Sequence, residues 1–341
     1  MKAAIYPGKG KPIVIEDRPN PRPGPDDVII KVARCGICGT DLSMTQGKTW
    51  DFGENVQFGH EYAGEIVELG SNVSSFKLGE RIAVLPSVAC GQCQPCRTLE
   101  NNVLCQASPA SGMVGFAELA KVPVSVATRL PQTLSLADGA LIEPLAISLY
   151  GLKLARIRPG EPVVVLGGGT VALYTIYWAR RLGAGKIVAL SRSQRRAELC
   201  LAMGADTFIP FGDNEIGETI EALGASPSLV FECVGAEGML MKSLMHVASF
   251  GRVVSLGFCT APDPLIPGLA SYKCASMQFA VGYSMNEFHY IADQLDRDAI
   301  TGGGHCDVKA IVTNEVPLID LPKTMDLLRG PNEETQVHVR M

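Results

Sequence analysis

The segment Val163-Val164-Val165-Leu166-Gly167-Gly168-Gly169-Thr170-Val171-Ala172 decides the fold of this chain. A run of β-branched residues enters a glycine turn of the form G-x-G-x-x-G/A, and an apolar, uncharged stretch follows it. The run reads as a strand, and Val171–Leu182 reads as the helix that leaves the turn. Gly167 suits a tight turn, and Gly169 lets backbone N–H groups approach a pyrophosphate. Ala172 keeps helix and strand close, with Thr170 and Val171 at the helix start, where the dipole favours negative charge.

Working outward, strands and helices alternate. Lys186–Leu190, Leu229–Glu232 and Arg252–Leu256 read as strands, and segments near 195–203 and 238–248 read as helices. Such alternation marks a parallel, doubly wound sheet. The sequence before residue 142 differs: short β-type runs (Val28–Val32, Glu65–Leu69, Arg81–Leu85) are separated by turn clusters such as Gly70-Ser71-Asn72. That pattern suggests a β-rich unit, a partly opened barrel. Leu141–Ala155 reads as a helix, and the last fifty residues return to short mixed elements. The expected arrangement is a β-rich domain of residues 1–148 and 288–341, with a dinucleotide-binding domain of residues 149–287 inserted into it.

Length and composition agree with two domains: 341 residues, 47% hydrophobic and 19% charged. A formal net charge of -5 without a lysine- or arginine-rich face argues against nucleic acid as a partner. The start, MKAAIYPGKG, lacks the apolar core of a secretory signal. Pro162–Ala179 carries no formal charge, but its triple glycine reads as strand, turn and helix rather than a membrane span. A cytoplasmic protein without a membrane partner is expected.

The end of the second strand bears on the choice of nicotinamide. An acidic residue there normally binds the adenosine ribose of NAD. This chain has Ser191-Arg192-Ser193-Gln194-Arg195-Arg196, with no carboxylate before Glu198. Ser191, Arg192 and Arg196 suit a 2′-phosphate, so NADP is expected in preference to NAD. Cations at a helix start oppose the helix dipole, which leaves a purely structural role poorly motivated.

Eleven cysteines are present, and Cys90, Cys93, Cys96 and Cys105 fall within one short lobe of about residues 87–107. Four thiolates at loop spacing give closed tetrahedral coordination, the mark of a structural zinc site. Buried free thiols and an iron–sulfur cluster are the alternatives. A second constellation needs separated residues: Cys38, His60, and Glu143 in the apolar run Leu141-Ile142-Glu143-Pro144-Leu145. A charge in such a run needs a partner, and a metal is one. Spacing alone does not link these residues, and composition alone favours a hydrogen-bonded core histidine at His60 and an inert buried thiol at Cys38.

Together these segments resemble the zinc-containing medium-chain dehydrogenase/reductase family, in its polyol and secondary-alcohol dehydrogenase branch. The matching stretches are Gly36–Asp41, Gly59–Gly64, the four-cysteine lobe, Ile142–Ala146, Val163–Ala172, Phe231–Gly235 and Gly251–Gly257, in order over nearly the whole chain. The resemblance implies a GroES-like catalytic domain carrying an inserted Rossmann domain. It also implies two zinc ions per chain, one structural and one catalytic.

The catalytic ion would sit on Cys38 and His60, completed by Glu61 or Glu143 directly or through water. Asp41 would orient His60, and Thr40 would hydrogen-bond the substrate oxygen. The turns bearing Cys233, Val234, Leu256, Gly257 and Phe258 would line the cofactor crevice. The implied reaction moves a hydride between a secondary alcohol, or its ketone, and NADP(H). An NAD-linked polyol or vicinal-diol dehydrogenase, and a catalytically silent binding member, are the alternatives.

Two departures stand out. Ser43 replaces the family's common histidine two residues beyond the aspartate, and the last gap of the cysteine lobe is one residue longer than usual. Trp50, Phe52, Phe116, Phe258 and Tyr283 are candidates for an apolar pocket lining. The family also implies a homodimer or homotetramer.

Overall fold

A computed structural model describes residues 1–48, 53–99, 101–107 and 112–341. The chain divides into two compact units, residues 1–146, 282–303 and 312–341, and residues 147–281 and 304–311.

The second unit is built on a six-stranded, all-parallel sheet. Its order is Thr207–Pro210, Ile187–Ser191, Val163–Leu166, Leu229–Glu232, Arg252–Ser255, Ser276–Phe279. Its central strand, Val163–Leu166, is wholly apolar and buried at every position, as a strand covered by helices on both faces must be. The order reverses between Val163–Leu166 and Leu229–Glu232, which is where the carboxyl ends of an open parallel sheet form a ligand crevice. The fold is the doubly wound Rossmann arrangement that the opening glycine turn implies. Two outer strands, Thr207–Pro210 and Ser276–Phe279, escape sequence reading because their side chains are partly exposed.

The first unit carries a seven-stranded, largely antiparallel sheet. Along it run Val312–Pro317, Gln336–Arg340, Asp27–Gly36, Glu61–Leu69, Arg81–Val84 and Ala127–Arg129, with Leu119–Pro123 also pairing with Asp27–Gly36. A smaller sheet joins Val14–Asp17, Lys2–Tyr6 and Val56–Gln57. Asp27–Gly36 is the hub. Its register with Glu61–Leu69 shifts twice, between Ile29 and Ile30 and between Val32 and Arg34, and such irregularities bend a strand. Gly64 lies opposite that bend, where a Cβ would stand 2.4 Å from the Lys31 carbonyl oxygen.

The limits of the units differ from the sequence expectation at two places. The second unit ends at residue 281, because Met285–Thr301 is a helix of the first unit, capped by Ser284 and Glu287 and packed on Ala127–Arg129. Residues 304–311 return to the second unit. There His305 stacks on Tyr177 with ring centroids 4.9 Å apart, and the Tyr174 hydroxyl donates to the Val308 carbonyl at 3.2 Å. Among the described residues no helix is long and apolar enough to cross a membrane.

Gly64→Ala is expected to lose about 1–3 kcal/mol through overpacking against the Lys31 backbone. Urea unfolding of the variant checks this, and an unchanged midpoint would show that the strand pair yields freely.

Candidate functional site

The hub strand Asp27–Gly36 delivers the chain to Cys38, which is the N-cap of the short helix Gly39–Thr45. The Thr40 backbone N–H donates to Cys38 Sγ at 3.4 Å, and Asp41 Oδ2 accepts from the Cys38 backbone N–H at 3.0 Å. This is a capping box in which a thiol replaces the usual hydroxyl. Asp41 is fully buried, and its other oxygen lies 3.3 Å from His60 Nδ1. One carboxylate therefore fixes the helix start beneath the thiol and faces the imidazole, leaving Nε2 as the ring's other coordinating atom.

His60 directly precedes the strand Glu61–Leu69, so His60 and Glu61 are set by the pairing of that strand with the hub. Sulfur, ring nitrogen and carboxylate oxygen of Cys38, His60 and Glu61 all lie within 4.8 Å of one another. Glu61 Oε2 accepts from Gln336 Nε2 at 2.5 Å. Gly36 stands opposite Glu61, and a Cβ there would lie 2.0 Å from Glu61 Oε2 and 2.6 Å from Gln336 Nε2. Only a glycine leaves that carboxylate its place.

Glu143 is not a member of the three-donor set. It lies in the first turn of Ile142–Ala155, buried, and accepts a hydrogen bond from the Tyr283 hydroxyl. Burial raises Glu61 to about 8, helped by the charge of Glu143 and opposed by His60. Burial likewise raises Glu143 and Cys38, with Glu61 adding to the Cys38 shift. For His60 burial works downward, but Asp41 and Cys38 outweigh it and the net shift is upward. Burial is the largest single cause in each case, and the neighbouring charges modify it.

The four sulfurs of Cys90, Cys93, Cys96 and Cys105 also converge within 4.8 Å. Cys93 and Cys96 sulfurs are 3.3 Å apart, well beyond a disulfide bond of about 2.05 Å, and all four thiols are free. Backbone N–H groups point at them: Cys90 toward Cys105 at 3.3 Å, and Gln92 and Cys93 toward Cys90 at 3.4 Å. The Cys90 N–H is the main cause that brings Cys105 down to about 6, while burial lifts Cys96 to about 12.

In the second unit Gly167 has φ +132°, and Gly169 is the N-cap of Thr170–Arg181 with no side-chain cap. A Cβ on Gly169 would meet nothing within 4 Å, so open space lies over that turn. A Cβ on Gly168 would meet Arg196 Cβ at 2.9 Å and Ser191 Oγ at 3.3 Å, which places both residues beside the glycine loop. Arg192 is exposed nearby, and Val171 begins the helix with Thr170. Glu232, not foreseen as a site residue, ties together the two turns further along the sheet. Its Oε1 accepts from the Val234 and Gly235 N–H groups at 2.6 and 2.8 Å, and its Oε2 from Ser255 Oγ at 2.9 Å. Cys233 and Leu256 flank that knot. Gly257 would strike the Gly235 nitrogen with any Cβ, and Val234 and Phe258 remain exposed.

The apolar lining expected from aromatic residues needs correction. Phe116 is core: it is fully buried and packs edge-on against Phe58 at 5.1 Å, close beneath Gly59. Tyr283 is buried with its hydroxyl committed to Glu143. Trp50 and Phe52 lie outside the described residues. Gly36, Gln336 and Tyr283 are the site residues that sequence reading missed as parts of the metal constellation. No local motif could have found the last two, because their partners are 275 and 140 residues away.

Comparison with known proteins gives a consistent picture. Residues 24–132 match the alcohol dehydrogenase GroES-like domain, and residues 170–297 match the zinc-binding dehydrogenase family. The chain is 32% identical to a sorbitol dehydrogenase of Bacillus subtilis over 268 residues, 75% of each chain. It is 31% identical to a sorbitol dehydrogenase of Mus musculus, covering 72% of this chain and 71% of that one. Among solved structures, 2R,3R-butanediol dehydrogenase from Bacillus subtilis superposes with a TM-score of 0.88 at 26% identity, covering 100% and 99% of the chains. A protein described as a zinc-binding dehydrogenase from Sinorhizobium meliloti, bound to NADP, superposes with a TM-score of 0.87 at 29% identity and the same coverage.

Proposed function

We propose a specific reaction for this chain, which belongs to the zinc-containing medium-chain dehydrogenase/reductase family, polyol dehydrogenase branch, and is an oxidoreductase of the alcohol dehydrogenase class. The reaction is reversible hydride transfer between a secondary hydroxyl of a small alcohol and NADP. The observation that carries this reading is the convergence of half-buried Cys38 with buried His60 and Glu61.

The donor set fits a zinc ion. Thiolate, imidazole and carboxylate are the three ligand types zinc takes, and three protein ligands leave one position open. Asp41, Glu61 and Glu143 are buried with His60 beside half-buried Cys38, and no lysine or arginine is buried among the described residues to balance the carboxylates. A divalent cation supplies that balance. We assign Cys38 and His60 as ligands with Glu61 as the third, because a Glu61 carboxylate oxygen converges with the thiol and the imidazole within 4.8 Å. The four-cysteine lobe fits a second, closed zinc site. Bound at Cys38, His60 and Glu61, zinc would supply Lewis acidity toward the substrate oxygen, and the nicotinamide would supply or accept the hydride.

The chain's own residues do the positioning. Asp41 sets the angle of the His60 ring while capping the helix that carries Thr40. The Thr40 hydroxyl is assigned to hold the substrate hydroxyl proton and pass it outward. Ser43, half-buried one turn further along that helix, stands where the family's histidine would relay it. Gly167, Gly168 and Gly169, with the uncapped start of Thr170–Arg181, are assigned to the pyrophosphate. Ser191, Arg192 and Arg196 are assigned to the 2′-phosphate, and the turns tied by Glu232 to the nicotinamide half of the crevice. The NADP bound to the similar Sinorhizobium meliloti protein supports the same choice. Polyols and vicinal diols are the first substrates to examine, given the sorbitol and butanediol dehydrogenases among its relatives and the loss of two of the aromatic residues read as an apolar lining.

The chain is also proposed to self-associate. Ser276–Phe279 is an open sheet edge, and Phe279 and Tyr272 beside it are 60% and 88% exposed, a combination that invites pairing with a second copy.

Three outcomes are expected. Cys38→Ser abolishes alcohol-dependent NADP reduction while the fold is retained by circular dichroism; near-normal turnover would refute the metal assignment. Hydrogen bonds to a charged phosphate contribute about 1.5–3 kcal/mol, so kcat/KM should favour NADP over NAD by about ten-fold to a hundred-fold. A preference for NAD would overturn that assignment. Light scattering should give two or four times the 36.3 kDa chain mass, and a monomer would remove the self-association proposal.

A further inference from the structure

Tyr283 is held from three directions. Its carbonyl accepts from the Asn102 backbone N–H at 2.9 Å, which ties it to the four-cysteine lobe just before Cys105. Its ring packs on Phe288 with centroids 5.4 Å apart. Ser284 is the N-cap of Met285–Thr301, so Tyr283 and Phe288 occupy the two positions of a hydrophobic staple. Its hydroxyl donates to Glu143 Oε1. Gly282, directly before it, has φ +77° and lies so close to the lobe that a Cβ would meet Asn101 Oδ1 at 2.6 Å and Val103 Cβ at 2.7 Å. Asn101 is itself buried, and its oxygen accepts from the Val103 and Leu104 N–H groups at 3.1 and 3.3 Å.

We propose that Tyr283 is a positioning residue that keeps Glu143 beside the Cys38–His60–Glu61 cluster but out of it, and that the four-cysteine lobe fixes where Tyr283 stands. The inference rests on the dehydrogenase reading above and extends it to the division of labour between two carboxylates. Glu61 is restrained by Gln336 and Glu143 by Tyr283, so each has its own tether. With one oxygen of Glu143 bound by the phenol, Glu61 is the carboxylate left to the cluster. Removing the phenol frees a buried carboxylate to swing toward the same centre. The lobe thereby acts on the reaction without touching substrate, by fixing the backbone from which the tether hangs.

The test uses full-length protein with cobalt(II) exchanged only at the Cys38–His60–Glu61 site and zinc kept in the four-cysteine lobe, because cobalt–thiolate and ligand-field bands then report that ligand set directly. Tyr283→Phe keeps the staple ring and removes only the hydroxyl. Its cobalt bands are expected to shift from those of the wild type, and kcat to fall by about ten-fold with a smaller change in KM, the scale typical of groups that orient metal ligands. In a Glu143→Gln background the same substitution should change kcat less than twofold. Gly282→Ala, which pushes the lobe off its seat, should shift the cobalt bands in the same direction.

Unchanged bands and near-normal kcat in Tyr283→Phe would overturn the proposal. So would an equal loss in the Glu143→Gln background. Unshifted bands in Gly282→Ala would remove the lobe's part alone. A wild-type protein that shows no cobalt–thiolate band at Cys38 would instead sink the dehydrogenase reading itself.

Discussion

Charge balance in one buried place governs this molecule. Cys38, Asp41, Glu61 and Glu143 crowd around His60 in the first unit, and among the described residues no lysine or arginine is buried with them. Isolated buried anions cost far more than a fold can spare, so such a group exists only with a cation or with protons shared among its members. Burial pushes Glu61, Glu143 and Cys38 upward, the direction expected of anionic groups taken out of water. The surrounding fold is arranged to hold this unstable set together: a strand hub, a thiol-capped helix, and a glycine without which Glu61 could not stand where it does.

The two cysteine-bearing sites solve opposite problems with the same element in view. Four thiols wrapped by backbone N–H groups make a closed site that suits a structural ion. One thiol, one imidazole and one carboxylate make an unequal set that suits a working ion with an open position. Residues 101–102 of the lobe touch residues 282–283, and Tyr283 reaches Glu143, so the lobe contacts the backbone that carries that tether.

How much of this could be read in advance depended on range. Val163–Leu166 and Leu229–Glu232 are legible as strands to the residue because a continuous apolar run between turn signals has few other fates. Ser276–Phe279 was not, since an edge strand with exposed side chains carries no burial pattern. At the site, Cys38, His60 and the four cysteines declare themselves by residue type and by family resemblance. Gln336 and Tyr283 do not, because a hydrogen bond closing a 275- or 140-residue loop leaves no local trace. Phe116 shows the converse failure: hydrophobicity marks an aromatic as buried but does not say whether a pocket or the core receives it.

Anomalous X-ray scattering at the zinc edge, from crystals of the protein grown without chelator, tests the central claim most directly. The account expects two peaks per chain, one within the Cys90–Cys105 lobe and one bounded by Cys38, His60 and Glu61. A single peak in the lobe, with the Cys38–His60–Glu61 cluster empty in zinc-replete protein, would contradict it.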